Sequence, residues 1–276
     1  MTHDLALTMR EAATDAGVRV NELVSVGVGA PGSVEPASGT VLQVANIDGW
    51  EAPFALGPAL EERLGAPVLV GNDVSVAVEA ERRYGAGRGV RSFLGVFWGT
   101  GIGGGLVVDG RLLHGRGSAG EIGHMCVKPG GRRCNCGLRG CVEAYAGRGA
   151  LEEQARREAR KRKTILFDLQ EKRGRESLTS GVWLRALDAG DAVARDLLEG
   201  AVGALGVAIG GAVTLLDVEA VVIGGGLGER LGTAWLRRIE KAAKRHTFFR
   251  DPPEYRLAEL GDMSGAIGAS LLAPCR

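Results

Sequence analysis

Three of the chain's five cysteines fall at positions 134, 136 and 141, and one of only four histidines, His124, lies just upstream. The stretch reads Gly120-Glu121-Ile122-Gly123-His124, then Cys134-Asn135-Cys136-Gly137-Leu138-Arg139-Gly140-Cys141-Val142-Glu143. Thiolates together with an imidazole form the ligand set of a closed tetrahedral zinc site. Gly130, Gly131, Gly137 and Gly140 supply the turns that so short a loop needs to converge on one ion. A disulfide between Cys134 and Cys136 would close a ring small enough to strain the bridge, and nothing at the N-terminus signals secretion into an oxidising compartment. Plain buried thiols are the remaining alternative. The spacing favours a structural zinc on Cys134, Cys136 and Cys141, with His124 the ligand it fixes least.

Composition narrows the partners. The 276 residues carry 34 basic and 33 acidic side chains, so no global field attracts nucleic acid or an anionic membrane. The 45 glycines occur as short clusters between apolar runs, which excludes collagen-like and low-complexity chains and suits phosphate-handling loops and tight strand–helix turns. Residues 201–216 are uncharged, but a spanning helix needs about 20 apolar residues. This shorter, glycine-rich run between Glu199 and Asp217 reads as a buried helix. The basic cluster at residues 156–163 lacks interleaved aromatics and any DNA-binding motif. With no signal peptide, a cytoplasmic location is expected.

Along the chain, residues 1–19 read as an amphipathic helix with Leu5, Met9, Ala12 and Ala13 on one face. A strand at 24–28 runs into Gly29-Ala30-Pro31-Gly32, either an ordinary loop or a ligand turn at a strand's carboxyl end. A strand at 68–70 delivers Gly71-Asn72-Asp73 to a helix reaching about Tyr84, where either polar residue can be the N-cap. The strand at 93–98 precedes Gly99-Thr100-Gly101-Ile102-Gly103-Gly104-Gly105, a loop whose N–H groups and hydroxyl could hold an anion. It then continues at 106–108 through an Asp109-Gly110 type I′ turn. This is neither a P-loop nor a dinucleotide fingerprint, and a structural glycine hairpin is the other possibility.

A helix at 143–163 carries Glu152–Arg156, Glu153–Arg157 and Glu158–Arg162 as i,i+4 pairs. Helices follow at about 180–189 and 191–216. A buried strand at 220–223 opens into Gly224-Gly225-Gly226, a nucleotide seat or a plain βα connection, before a helix at 229–246. A strand near 255–260 and a helix near 264–272 complete the pattern. Cys126 and Cys275 have no evident partners.

Taken together these motifs resemble the ROK family (repressors, open reading frames, kinases), in which Glu-x-Gly-His precedes a Cys-x-Cys-Gly-x-x-Gly-Cys-x-Glu zinc loop. The resemblance covers nearly the whole chain. It implies an α/β, two-lobed fold of the ribonuclease H-like, actin-like ATPase type, with residues 1–95 in the N-terminal lobe and 96–262 in the C-terminal lobe. Residues 263–276 would return as a helix to the first lobe. His124, Cys134, Cys136 and Cys141 match the family's zinc ligands. Asn46, Asn72, Asp73, Glu121, His124 and Glu143 match its sugar-binding positions, with Asp73 as the base. Gly99, Thr100, Gly101 and Gly103 match a phosphate motif, and Gly224, Gly225 and Gly226 an adenosine motif.

The implied activity is ATP- and magnesium-dependent phosphorylation of a hexose, glucose at its 6-hydroxyl before others; a catalytically inactive sugar sensor is the other reading. A homo-oligomer, dimer or tetramer, is expected. The family also carries an Asp-x-Gly-Gly-Thr phosphate loop on a first strand, with two further strands before the first helix, and no such loop precedes the helix at 1–19. The expectation is therefore an incomplete N-terminal lobe, an open edge on the strand at 24–28 and a tendency to self-associate. Weak ATP binding and slow transfer would follow.

Overall fold

Apolar runs too short for helices pair into sheets here, and glycine decides how closely other elements approach them. The computed structural model describes residues 2–44, 50, 53–248 and 251–273. It opens with α1 (Thr2–Asp15), β1 (Val26–Ala30) and a hairpin of β2 (Ser33–Glu35) and β3 (Thr40–Gln43). Then come α2 (Leu56–Leu64), β4 (Val68–Asn72), α3 (Asp73–Tyr84), β5 (Phe93–Trp98), β6 (Ile102–Val108) and β7 (Arg111–Leu112). A 3-10 turn at Ile122–His124 leads to α4 (Glu143–Ala146), α5 (Arg148–Glu158), α6 (Leu166–Lys172), α7 (Ser180–Asp188) and α8 (Ala192–Leu216). The remainder is β8 (Ala220–Gly224), α9 (Gly225–Lys244), β9 (Glu254–Leu257) and α10 (Ser264–Ser270).

β1 and β4 pair in parallel from Val26–Val68 to Ala30–Asn72, and among the described residues β1 has no second strand partner. A larger sheet runs β7-β6-β5-β8-β9, with β5, β8 and β9 parallel and β6 antiparallel to β5. Ligand crevices form outside the carboxyl ends of parallel strands, and four such ends, those of β1, β4, β5 and β8, carry the polar and glycine residues. The two largest hydrophobic clusters among the described residues lie one against each sheet, and a smaller one around Val78, Phe93, Val107 and Val222 fills the other face of the larger sheet. Of the two largest, one gathers Ala6, Val28, Val41, Leu60 and Val70; the other gathers Val96, Trp98, Leu151, Trp183, Leu205, Ile209 and Ile223. By length and composition α8 could cross a membrane, yet most of its apolar window is buried in the second core, as the sequence suggested.

The glycine run after β5 is mostly strand. β6 begins at Ile102, so Gly103, Gly104 and Gly105 belong to the sheet and only 99–101 form the loop. The reason is α3, which lies on that face: a Cβ on Gly103 would come within 2.4 Å of Val74, and one on Gly105 within 2.8 Å of Val78. α10 uses the same device against β1 and α3, since a Cβ on Gly27 or Gly268 would strike the Ala269 or Val76 carbonyl. Beside it, Glu81 is fully buried and its carboxylate accepts from the N–H groups of Ala86 (2.8 Å), Glu259 (3.1 Å) and Leu260 (2.9 Å). One side chain on α3 thus ties the α3–β5 crossover to the β9–α10 crossover.

Other expectations shift at the ends. The helix at 143–163 is two, because Gly147 turns out of helical geometry and the N–H groups of Arg148 and Gly149 bond the carbonyls of Gly99 and Thr100 (3.2 Å each). The helix expected from 229 begins at Gly225 and is interrupted by Gly232 at φ 70°. The last strand stops at Leu257. α2, α6 and the β2–β3 hairpin had no counterpart in the sequence reading. The three i,i+4 pairs form, and the Asp109-Gly110 turn has positive φ at both residues.

Candidate functional site

The four strand ends open into one cleft of about 790 Å³. From β1 come Pro31 and Gly32, and from β4 come Asn72 and Asp73. Asn72 is the N-cap of α3: its Oδ1 accepts from Ser75 N (2.8 Å), and its Nδ2 donates to the Gly32 carbonyl (2.9 Å) and to Asp73 Oδ1 (3.2 Å). Capping by Asn72 leaves Asp73 to line the cleft. Crowding by protein raises the affinity of Asp73 for protons, opposed by the Val74 N–H that its Oδ1 accepts at 2.9 Å.

Across the cleft stand Glu121, His124 and Glu143. Glu143 is buried; its Oε2 accepts from Ile102 N at 2.9 Å and its Oε1 lies 3.9 Å from Cys134 Sγ, so one carboxylate links the cleft, the start of β6 and the thiols. The Glu121 carboxyl is pushed up by burial first, with His124 opposing and Asp73 and Glu143 adding repulsion. That mutual influence is what carboxylates sharing one cavity produce.

His124, Cys134, Cys136 and Cys141 bring their ligand atoms within 4.8 Å of one another and could hold a metal ion. Cys136 Sγ to Cys141 Sγ is 3.7 Å, and Cys134 Sγ to His124 Nδ1 is 3.7 Å. A tetrahedron with metal–sulfur bonds of about 2.3 Å has edges of about 3.8 Å, so the spacing fits a tetrahedral ion. Burial pushes the Cys134 thiol up to about 12, and a cation is what would let it ionise. Since Nδ1 faces the sulfurs, Nε2 is the nitrogen turned to Glu121, 4.0 Å from its Oε2. Cys126 lies outside the four, exposed, with its thiol against the Arg139 carbonyl. Asn46 and Cys275 fall outside the described residues.

The glycine loops come together at the carboxyl ends of β5 and β8. Phe97 pairs with Gly224, which sets the 99–101 loop beside the start of α9. Gly225, at φ 82°, packs where a Cβ would lie 2.8 Å from the Trp98 backbone, and its N–H is held by Glu229 Oε1 at 2.9 Å. Gly99, Thr100, Gly101, Gly103 and Gly225 line the cleft, with Gly224 and Gly226 flanking the last of these. Sequence reasoning missed Arg148, which donates to Thr100 Oγ1 at 2.8 Å and Ser180 Oγ at 3.2 Å. Nothing in the pattern around it marks it; only the break at Gly147 brings it there.

The sequence model of the ROK family matches residues 1–276. The chain belongs to the ROK family. It is 38% identical over 257 residues to a glucokinase from Halalkalibacterium halodurans, covering 91% of this chain and 76% of that protein. It is 32% identical over 208 residues to the DNA-binding transcriptional repressor Mlc of Escherichia coli, covering 75% of this chain and 49% of the repressor. Among solved structures, a ROK family glucokinase from Streptomyces griseus in complex with glucose and AMPPNP superposes with a TM-score of 0.84 at 32% identity, covering 98% of this chain and 88% of that one. The fold is therefore the α/β fold of ROK sugar kinases.

Proposed function

We propose that this chain is an ATP-dependent hexose kinase that transfers the γ-phosphoryl group to the 6-hydroxyl of glucose. The observation carrying this is the place of Asp73, whose carboxylate shares one cleft with Asn72, Glu121, His124 and Glu143 and with the glycine loops. A carboxylate there can accept the proton of a hydroxyl as it attacks phosphorus. Burial brings its proton affinity closer to that of an efficient base near neutral pH. Asn72, Glu121, His124 and Glu143 hold the sugar hydroxyls, joined by Asn46 on the motif match. Gly99, Thr100, Gly101, Gly103 and Gly224 to Gly226 take the nucleotide.

We assign zinc to His124, Cys134, Cys136 and Cys141, as a structural ion. When bound it supplies a fixed ring for His124, so that Nε2 serves as an oriented hydrogen-bonding group for sugar. Magnesium carried with ATP supplies neutralisation of phosphate charge. The lobes divide near residue 95 and again near 262, with α10 returning to the first lobe. We place the enzyme in the cytoplasm as a dimer or tetramer, which sizing by light scattering tests.

A coupled assay with glucose, mannose, fructose and N-acetylglucosamine tests the activity. Glucose turnover with the highest kcat/KM supports the proposal; absence of turnover with any of the four removes it. The likeness to Mlc favours one second reading, a sugar-binding sensor without catalysis. Calorimetric glucose binding in a protein that never consumes ATP would establish that reading instead.

A further inference from the structure

Arg148 opens α5 directly behind the 99–101 loop, and its surroundings are unusual for a structural arginine. Its Nη2 donates to Thr100 Oγ1 at 2.8 Å and its Nη1 to Ser180 Oγ at 3.2 Å. No carboxylate lies within ion-pair distance of it among the described residues. Glu152, whose charge acts on it, is committed to Arg156 at 2.6 Å and to the Leu178 N–H at 2.8 Å. Desolvation is the main influence on the guanidinium and lowers its proton affinity. The residue is half-buried, and a cation partly withdrawn from water is best compensated by an anion, which two hydroxyls do not supply.

The two hydroxyls differ in place: one faces the cleft and the other lies behind its wall. Thr100 lines the cleft. Ser180 is buried at the start of α7, and a Cβ on Gly226 would lie 3.8 Å from its Oγ. A hydroxyl oxygen that accepts from a guanidinium keeps its own O–H to donate elsewhere. The cation therefore orients both hydroxyls as donors and adds its charge behind them, one beside each glycine loop.

We propose that Arg148 is a positioning residue for the polyphosphate of a bound nucleotide, acting through Thr100 and Ser180. This rests on the kinase reading of the two loops. The charge that the guanidinium lacks in the protein is brought by the phosphates, and a site of this kind responds to how many phosphates the ligand carries. Charge-assisted hydrogen bonds are the strong ones, so their loss is expected to weaken ATP binding about 10- to 100-fold.

The test is calorimetry with AMP, ADP, ATP and glucose on the parent, Arg148→Gln, Arg148→Lys, Thr100→Val and Ser180→Ala, alongside KM for ATP, kcat and Tm. The expected result is a loss in Arg148→Gln that grows from AMP to ATP, a raised KM for ATP, glucose affinity within twofold of the parent, and partial recovery in Arg148→Lys. Thr100→Val and Ser180→Ala, each removing only a hydroxyl, should show the same gradient more weakly. An equal loss for AMP, ADP and ATP, or a fall in glucose affinity and Tm together, overturns the proposal and makes Arg148 a strut between α5 and α7. If Arg148→Gln does not fold, the two hydroxyl variants decide by the same gradient. A parent that binds glucose but no adenine nucleotide overturns the kinase reading itself, and this inference with it. A parent with normal ATP turnover and a flat variant series overturns only the inference.

Discussion

Asp73 has a folded environment that disfavours its charge, and this separates its role in chemistry from its role in stability. Asp73→Asn keeps an oxygen for the Val74 N–H but cannot take a proton from a hydroxyl. Turnover should fall by about 10²- to 10⁴-fold with glucose affinity largely intact, as steady-state kinetics and calorimetry would record. Because burial raises the folded-state pKa of Asp73, its contribution to stability is fully present below the ordinary aspartate range and is lost as pH rises through the raised value. Above the ordinary aspartate range the raised pKa therefore costs stability, so at pH 7 Asp73→Asn should melt no lower than the parent and should gain Tm. That gain should narrow as pH is lowered toward the ordinary aspartate range; a variant whose Tm drops at pH 7 would contradict it. Cys136→Ser acts differently. Elemental analysis should find about one zinc per parent chain and none in this variant, whose Tm and glucose affinity should both be lower.

At the scale of elements, the contact between α3 and β6 is set by absent side chains. Gly103→Ala places a methyl 2.4 Å from Val74, an overpacking expected to destabilise by about 1–3 kcal/mol in urea titrations. Val74→Ala in the same chain should recover part of the loss, since the two changes share one space; strict additivity would mean the strain lies elsewhere. The same contact shows what could be read in advance. β5, β8 and α3 were legible because apolar runs bounded by glycine or Asn-Asp have few other fates. The Gly103-Gly104-Gly105 run was ambiguous, since glycine suits a loop and a strand under a helix alike, and α3 above it is what decides. α6 and the β2–β3 hairpin are short and lean on distant partners, as where Asp191 accepts from the Ile165 N–H at 2.7 Å. The convergence of His124, Cys134, Cys136 and Cys141 was legible because metal-ligand chemistry restricts such a cluster to few residue types. Arg148 was not, because its place depends on the break at Gly147.

In the whole molecule, Glu81 is where the two crossovers between the sheets are held together. Glu81→Gln puts an amide NH₂ among N–H donors and leaves at least one of them unmet, which should destabilise by about 1–3 kcal/mol. Scanning calorimetry should show one transition in the parent and two in Glu81→Ala, as the cores built on β1–β4 and on β5–β8 lose their common fastening. A single, merely lowered transition in that variant would show that α10 alone suffices to couple them.

The packing of α10 on β1 and α3 also bears on how the chain is made. The faces of β1 and α3 that Gly27 and Val76 present to α10 are translated long before residues 264–270. At synthesis rates of about 5–20 residues per second, β4 waits about 10–40 s for the helix that covers its neighbours. During that interval the early core has apolar surface with no permanent cover, and the Glu81 carboxylate is still without the N–H groups of Glu259 and Leu260. Yield in a cell should then depend on what shelters the nascent chain on the ribosome, and a fragment ending before residue 259 should be recovered mainly with chaperones or in aggregates.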